Sequence, residues 1–154
     1  MIYIFVLLFV HKNSKRGLQM SLTVYLGIDV GSVTTKLALV DENGKYVDSY
    51  MLRTAGKPVL AVQKGLKELY KKKLTDYTVM GVGTTGSGRN LAGALVGADI
   101  IKNEITAHAV AASTYVPGVQ TILEIGGQDS KIIILRDGIV TCLLYTSDAA
   151  DEAR

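Results

Sequence analysis

Residues 23–29 are apolar and β-branched and predict a strand, and residues 34–41, TTKLALVD, alternate with period two and predict its hairpin partner. Asn43-Gly44 is a tight-turn signal, so residues 45–53 predict a third strand and close an antiparallel meander. The period then changes. Val59, Val62, Leu66, Leu69 and Tyr70 recur at helical spacing and predict an amphipathic helix over 58–73. TVMGVG, residues 78–83, predicts a short buried strand parallel to the first, and the loop TTGSGR leads to a small-residue helix near 88–96. NEITAHAVAASTY, residues 103–115, predicts another helix, with Asn103 as N-cap and Glu104 in the first turn, where a carboxylate suits the helix dipole. Residues 120–126 and 130–136 predict two strands around a glycine-rich turn, and a further strand leaves Asp137-Gly138 through Ile139 and Val140. Up to residue 136 the order is β-β-β-α-β-α-α-β-β. It predicts an α/β fold, a mixed sheet with helices packed on it.

Composition narrows the class. With 154 residues, 48% hydrophobic and 20% charged, the chain can bury a sizeable core in one domain. A net charge of +3 is modest, and the one dense cationic run, Lys71 to Lys73, closes a predicted helix, where cations suit the dipole. That run reads as a solvated face, and no nucleic-acid partner is expected. The single cysteine, Cys142, forms neither an internal disulfide nor a cysteine-rich metal site, and points to a reducing, cytoplasmic setting. Two histidines do not support a histidine-rich metal site.

Both ends look foreign to the rest. The apolar run of residues 1–10 is shorter than the roughly 20 residues that span a bilayer. Its positive charges follow rather than precede it, unlike a signal peptide. Residues 1–19 are expected to be an upstream non-native segment with Met20 as the true start, and no membrane partner is expected; a short membrane anchor is the alternative. CLLYTSDAADE, residues 142–152, resembles the translated read-through of a sequencing-library adapter. Residues 142–154 are therefore expected to be an artefact tail, with the natural protein continuing past Thr141.

Two segments carry the candidate chemistry: GIDVGSVTTK, residues 27–36, and EIGGQDSK, residues 124–131. Each is a strand that ends in an acidic residue and glycine and then restarts as another strand. Glycine lets the backbone approach phosphate oxygens, and backbone N–H groups there donate to them. In the first hairpin, Gly31, Ser32, Thr34, Thr35 and Lys36 are candidates to grip and neutralise a phosphate. In the second, Gly126, Gly127, Gln128 and Asp129 repeat the plan. Asp29 and Glu124 are candidates to hold Mg²⁺ through its water shell, since Mg²⁺ dehydrates reluctantly. Thr35 and Leu37 are expected to face away from Lys36. GVGTTGSGR, residues 81–89, lacks the ending of a P-loop and reads as a structural turn or interface, with Arg89 open to phosphate, partner or solvent. His108 lies one helical turn beyond Glu104 and reads as a packed or capped core histidine, with contact to the site as the other reading.

The paired hairpins resemble the actin, sugar-kinase and heat-shock-chaperone ATPase superfamily, which implies a ribonuclease-H-like, actin-like fold with only its first lobe, residues 20–141, present here. NEITAHAVAA is similar to the chaperone helix whose glutamate positions water for ATP hydrolysis, which implies that Glu104 is the catalytic carboxylate. GIDVGSVTTK, GVGTTGSGR, GADIIKNEITAHA and EIGGQDSK together resemble the activator ATPases of 2-hydroxyacyl-CoA dehydratases, relatives of the ATPase subunits of benzoyl-CoA reductases. That resemblance implies ATP and Mg²⁺ as ligands. It implies a homodimer sharing one [4Fe–4S] cluster, held by two cysteines from each subunit. It also implies a dehydratase or related reductase as partner, with reduced ferredoxin or flavodoxin as electron donor. The cluster cysteines are not in this chain, and Cys142 stands outside the motif. Two other functions remain open on the same fold: a sugar kinase, with Asp99 or Asp129 as candidate base, and a nucleotide-binding module that does not hydrolyse.

Overall fold

The predicted meander is formed by β1 (Leu22–Val30), β2 (Thr34–Asp41) and β3 (Tyr46–Arg53). The computed structural model describes residues 22–72, 77–126 and 129–147. β1 and β2 pair antiparallel with Asp29 opposite Lys36 and Val30 opposite Thr35. The Asn43-Gly44 turn is held by Asp41, whose carboxylate accepts from the N–H groups of Asn43 and Lys45 at 2.9 and 2.8 Å.

Helix α1 (Pro58–Lys72) follows, then β4 (Tyr77–Thr85), which runs parallel to β1 as the pattern predicts. Helix α2 (Arg89–Val96) ends at Gly97, whose φ of 63° is a left-handed C-cap. β5 (Ile100–Ile101) completes a five-stranded mixed sheet in the order β3-β2-β1-β4-β5. A two-residue strand leaves no period to read, so β5 is invisible in the pattern.

Helix α3 (Glu104–Tyr115) starts at Asn103, whose side-chain oxygen accepts from the Thr106 N–H at 2.8 Å. β6 (Thr121–Ile125), β7 (Asp129–Arg136) and β8 (Ile139–Ser147) form a second, antiparallel sheet instead of joining the first. Periodicity states which face of a strand is buried, not which sheet it joins. β8 also continues beyond Val140 and crosses the expected boundary at Thr141.

Two cores result. Val24, Leu26, Ile28 and Val30 alternate along β1 and meet Leu37 and Leu39 of β2, Val62 and Leu69 of α1 and Ala92 of α2. Ala109 of α3 packs on Ile133 and Leu135 of β7 in the second. Among the described residues, no helix is long and apolar enough to cross a membrane.

Candidate functional site

The ends of β1 and β6 each carry an acidic residue just before a glycine turn, and the two turns are built alike. Gly31 N–H donates to the Thr34 carbonyl at 2.9 Å, and Gly126 N–H donates to the Asp129 carbonyl at 2.8 Å. Asp29 pairs with Lys36 across the first hairpin, and Glu124 pairs with Lys131 across the second. Acid, glycine, turn-closing carbonyl and lysine therefore stand at equal spacings in both hairpins.

Both turns open onto one cleft of about 310 Å³. Asp29, Gly31, Ser32, Thr34 and Lys36 line it from the first hairpin, Glu124, Gly126, Asp129 and Lys131 from the second, and Glu104 and His108 from α3. Gly127 and Gln128 lie outside the described residues. Thr35 does not line the cleft: it is fully buried, and its hydroxyl meets that of Thr54 at 2.9 Å. Thr54 donates its own proton to the Gly31 carbonyl at 2.8 Å, so Thr35 is the donor to Thr54. The expected phosphate contact at Thr35 is thus replaced by a latch that fixes the first turn from behind. The physical reason is the strand alternation that sends Thr35 and Leu37 inward, opposite Lys36.

Electrostatics follow from this crowding. The Lys36 ammonium sits 3.5 Å from Asp29. Burial raises the Asp29 carboxyl above its ordinary range, and Lys36 pulls the other way. Burial lowers the His108 imidazole below its ordinary value, against the pull of Glu124 and Asp29. Burial opposes the charge on Lys131, but hydrogen bonds to Asp129 and Glu124 outweigh it and hold its pKa above that of an ordinary lysine. Four carboxylates (Asp29, Glu104, Glu124, Asp129) against two lysines leave the cleft with two net negative charges. Among the described residues no group of three or more His, Cys, Asp or Glu is arranged to cage a metal ion.

Val33, Gly86, Ser87 and Lys131 line the cleft beside the expected residues. Lys131 was legible as the counterpart of Lys36 at the same spacing from its acid. Gly86 and Ser87, from the turn after β4, also line the cleft. Ser87 donates to the Val30 carbonyl at 3.3 Å, and Gly88 N–H donates to the same carbonyl at 2.8 Å, so that turn is fastened to the end of β1. Arg89 is engaged within its own turn, donating to the Gly86 carbonyl at 3.1 Å. Asp99 accepts from the Val82 N–H at 2.8 Å and does not line the cleft. His108 stands on the cleft wall instead of in a sealed core, and also borders an apolar cavity of about 190 Å³ between α3 and β6.

An α/β chain whose two glycine-closed acidic hairpins flank one cleft has the actin-like ATPase fold. The chain belongs to the BadF/BadG/BcrA/BcrD ATPase family, whose sequence model matches residues 26–154. It is 33% identical over 120 residues to the (R)-2-hydroxyglutaryl-CoA dehydratase activating ATPase of Acidaminococcus fermentans, covering 75% of this chain and 44% of that protein. It is 36% identical over 137 residues to the activator of lactoyl-CoA dehydratase of Anaerotignum propionicum, covering 84% and 49%. Among solved structures, the activator of the 2-hydroxyisocaproyl-CoA dehydratase from Clostridium difficile with bound ADPNP superposes with a TM-score of 0.70 at 27% identity, covering 82% of this chain and 47% of that one. The chain spans just under half the length of these relatives.

Proposed function

We propose that this chain carries the phosphate-binding half of an ATPase that activates a 2-hydroxyacyl-CoA dehydratase or a related reductase. The observation that carries the reading is the convergence of two like-built glycine hairpins and Glu104 on one acidic cleft. Net negative charge would repel a bare triphosphate, so the nucleotide enters with a divalent cation. Asp29 and Glu124 are the residues to hold Mg²⁺ through water; when bound, it neutralises charge on the phosphate oxygens. Lys36 leaves Asp29 to neutralise the terminal phosphate, while Gly31, Ser32, Thr34, Gly126 and Asp129 shape the turns around it. Glu104 orients the attacking water and takes its proton as the oxygen bonds to the γ-phosphorus. The bond to the bridging oxygen breaks, and its electron pair departs with ADP.

For the whole protein, the reading extends to a cytoplasmic homodimer that passes one electron, from ferredoxin or flavodoxin, to the dehydratase. A [4Fe–4S] cluster shared between two subunits needs two cysteines from each, and this chain has only Cys142, which is exposed. These residues do not fit the cluster, and no step here passes through it.

The test is ATP hydrolysis by the complete gene product, with and without its dehydratase. Lys36→Ala and Glu104→Ala are each expected to lower turnover by about 100-fold or more, the usual scale for a lost acid–base or charge-stabilising group. Near-normal turnover in both variants defeats the assignment. Phosphorylation of a sugar in place of hydrolysis would make the protein a kinase.

A further inference from the structure

Lys36 and Lys131 hold equivalent places in the two hairpins, yet their surroundings differ. Lys36 meets Asp29 at 3.5 Å, and its side chain is 20% exposed. The Lys131 side chain is 6% exposed, and its ammonium lies 2.9 Å from Asp129, 3.2 Å from Glu124 and 3.9 Å from Glu104. The Tyr145 ring lies over the ammonium, with 5.6 Å to its centroid. The ammonium donates to Asp129 and Glu124, and Glu104 completes the ion-pair cluster without a hydrogen bond. Glu124 is itself buried, so taking Lys131 away would strand a buried charge.

We propose that Lys131 is a fixed counter-ion, a positioning residue that holds Glu104, Glu124 and Asp129 on the cleft wall, and that Lys36 is the one of the pair that moves to the phosphate. The proposal rests on the ATPase reading above and assigns a division of labour within it. To reach a phosphate, Lys131 would have to leave three carboxylates inside a buried site. Lys36 leaves one, at 3.5 Å, and its side chain is partly in contact with water. The single charge of Lys131 against three carboxylates also weakens the pull of that wall on a free divalent cation.

The experiment uses the complete gene product labelled with ¹⁵N-lysine. In nucleotide-free protein the Lys131 ammonium is expected to give a visible, slowly exchanging Nζ resonance, assigned by its loss in Lys131→Arg. Addition of Mg²⁺ and ADPNP should shift Lys36 and leave Lys131 in place. Absence of the Lys131 signal from the free protein, or a shift of Lys131 with Lys36 unmoved, overturns the proposal. If Mg²⁺ and ADPNP move neither signal, the ATPase reading fails, while a slowly exchanging Lys131 still supports the counter-ion. Independently, Lys131→Met should tighten Mn²⁺ binding without nucleotide by about tenfold or more, one unit charge near a divalent ion. Lys131→Arg should bind Mn²⁺ like the unaltered chain. Unchanged Mn²⁺ affinity in a natively folded Lys131→Met overturns the proposal; should that variant not fold, the resonances of the unaltered chain decide.

Discussion

Gly86 shows how tightly single residues are set around the cleft. Its φ is +86°, and a Cβ there would come within 2.5 Å of both the Asp29 carboxylate and the Val30 carbonyl. Neither neighbour can give way freely, since one is backbone and the other is paired with Lys36. Gly86→Ala is expected to cost about 1–3 kcal/mol in urea unfolding and to displace Asp29, with weaker Mg²⁺-dependent ADPNP binding. A fully stable variant with normal binding would show that the turn after β4 does not set Asp29. His108 provides a pH test. Its folded pKa lies below the ordinary 6.5, so the unfolded chain takes up the proton more readily. Stability from neutral His108 is present above about pH 6.5 and lost as pH falls through the lower folded value. Asp29, Glu104, Glu124 and Lys131 surround it, so Glu104 and Glu124 must stay in place for the comparison. His108→Gln should flatten the loss of unfolding free energy between pH 7 and 5; an unchanged slope rejects the assignment. Of the site itself, the acids, Gly31, Gly126 and Lys36 were legible because short motifs display them. Thr54 was not, because it meets Gly31 only after β3 folds back on β2. Lys131 is legible in EIGGQDSK only through its spacing from Glu124, which matches that of Lys36 from Asp29.

Helix α3 carries both Glu104 and His108, so its first turn sets the geometry of one cleft wall. The apolar periodicity of this helix is weak, since it is rich in alanine, and its start is legible from Asn103 as cap and Glu104 in the first turn. The cap bond to Thr106 bears that out. Asn103→Ala is expected to destabilise the chain by about 1 kcal/mol in urea unfolding and to loosen Glu104. No measurable loss would mean that packing of α3 on β7 sets the helix start without the cap. The elements with long, regular patterns were all legible: the meander, α1, β4 and the β6–β7 hairpin. β5 was missed because its two residues are held by parallel pairing to β4, a contact that sequence neighbours do not announce.

At the scale of the molecule, the cleft lies between two separately packed cores, and that arrangement was not legible. Residues 132–135 are apolar throughout, so nothing in the sequence says that Ile133 and Leu135 are the pair that turns inward, or that they pack on α3. The first core, around Leu39, and the second, around Ile133, are both fully buried at their centres. Ile133→Ala and Leu39→Ala should each cost about 2–5 kcal/mol, by lost burial and the cavity left behind. Their local effects should differ. Native-state hydrogen exchange in Ile133→Ala is expected to lose protection along β6, β7 and β8 while β1 and β2 keep theirs, and Leu39→Ala should do the reverse. Mg²⁺ with ADPNP touches both hairpins in the proposed mode and should raise protection in both sheets together, since a ligand that spans two units stabilises each through the other. Equal loss across both sheets in both variants would show one cooperative core, and the cleft would then be a groove on a single rigid body, with no joint for the nucleotide to close.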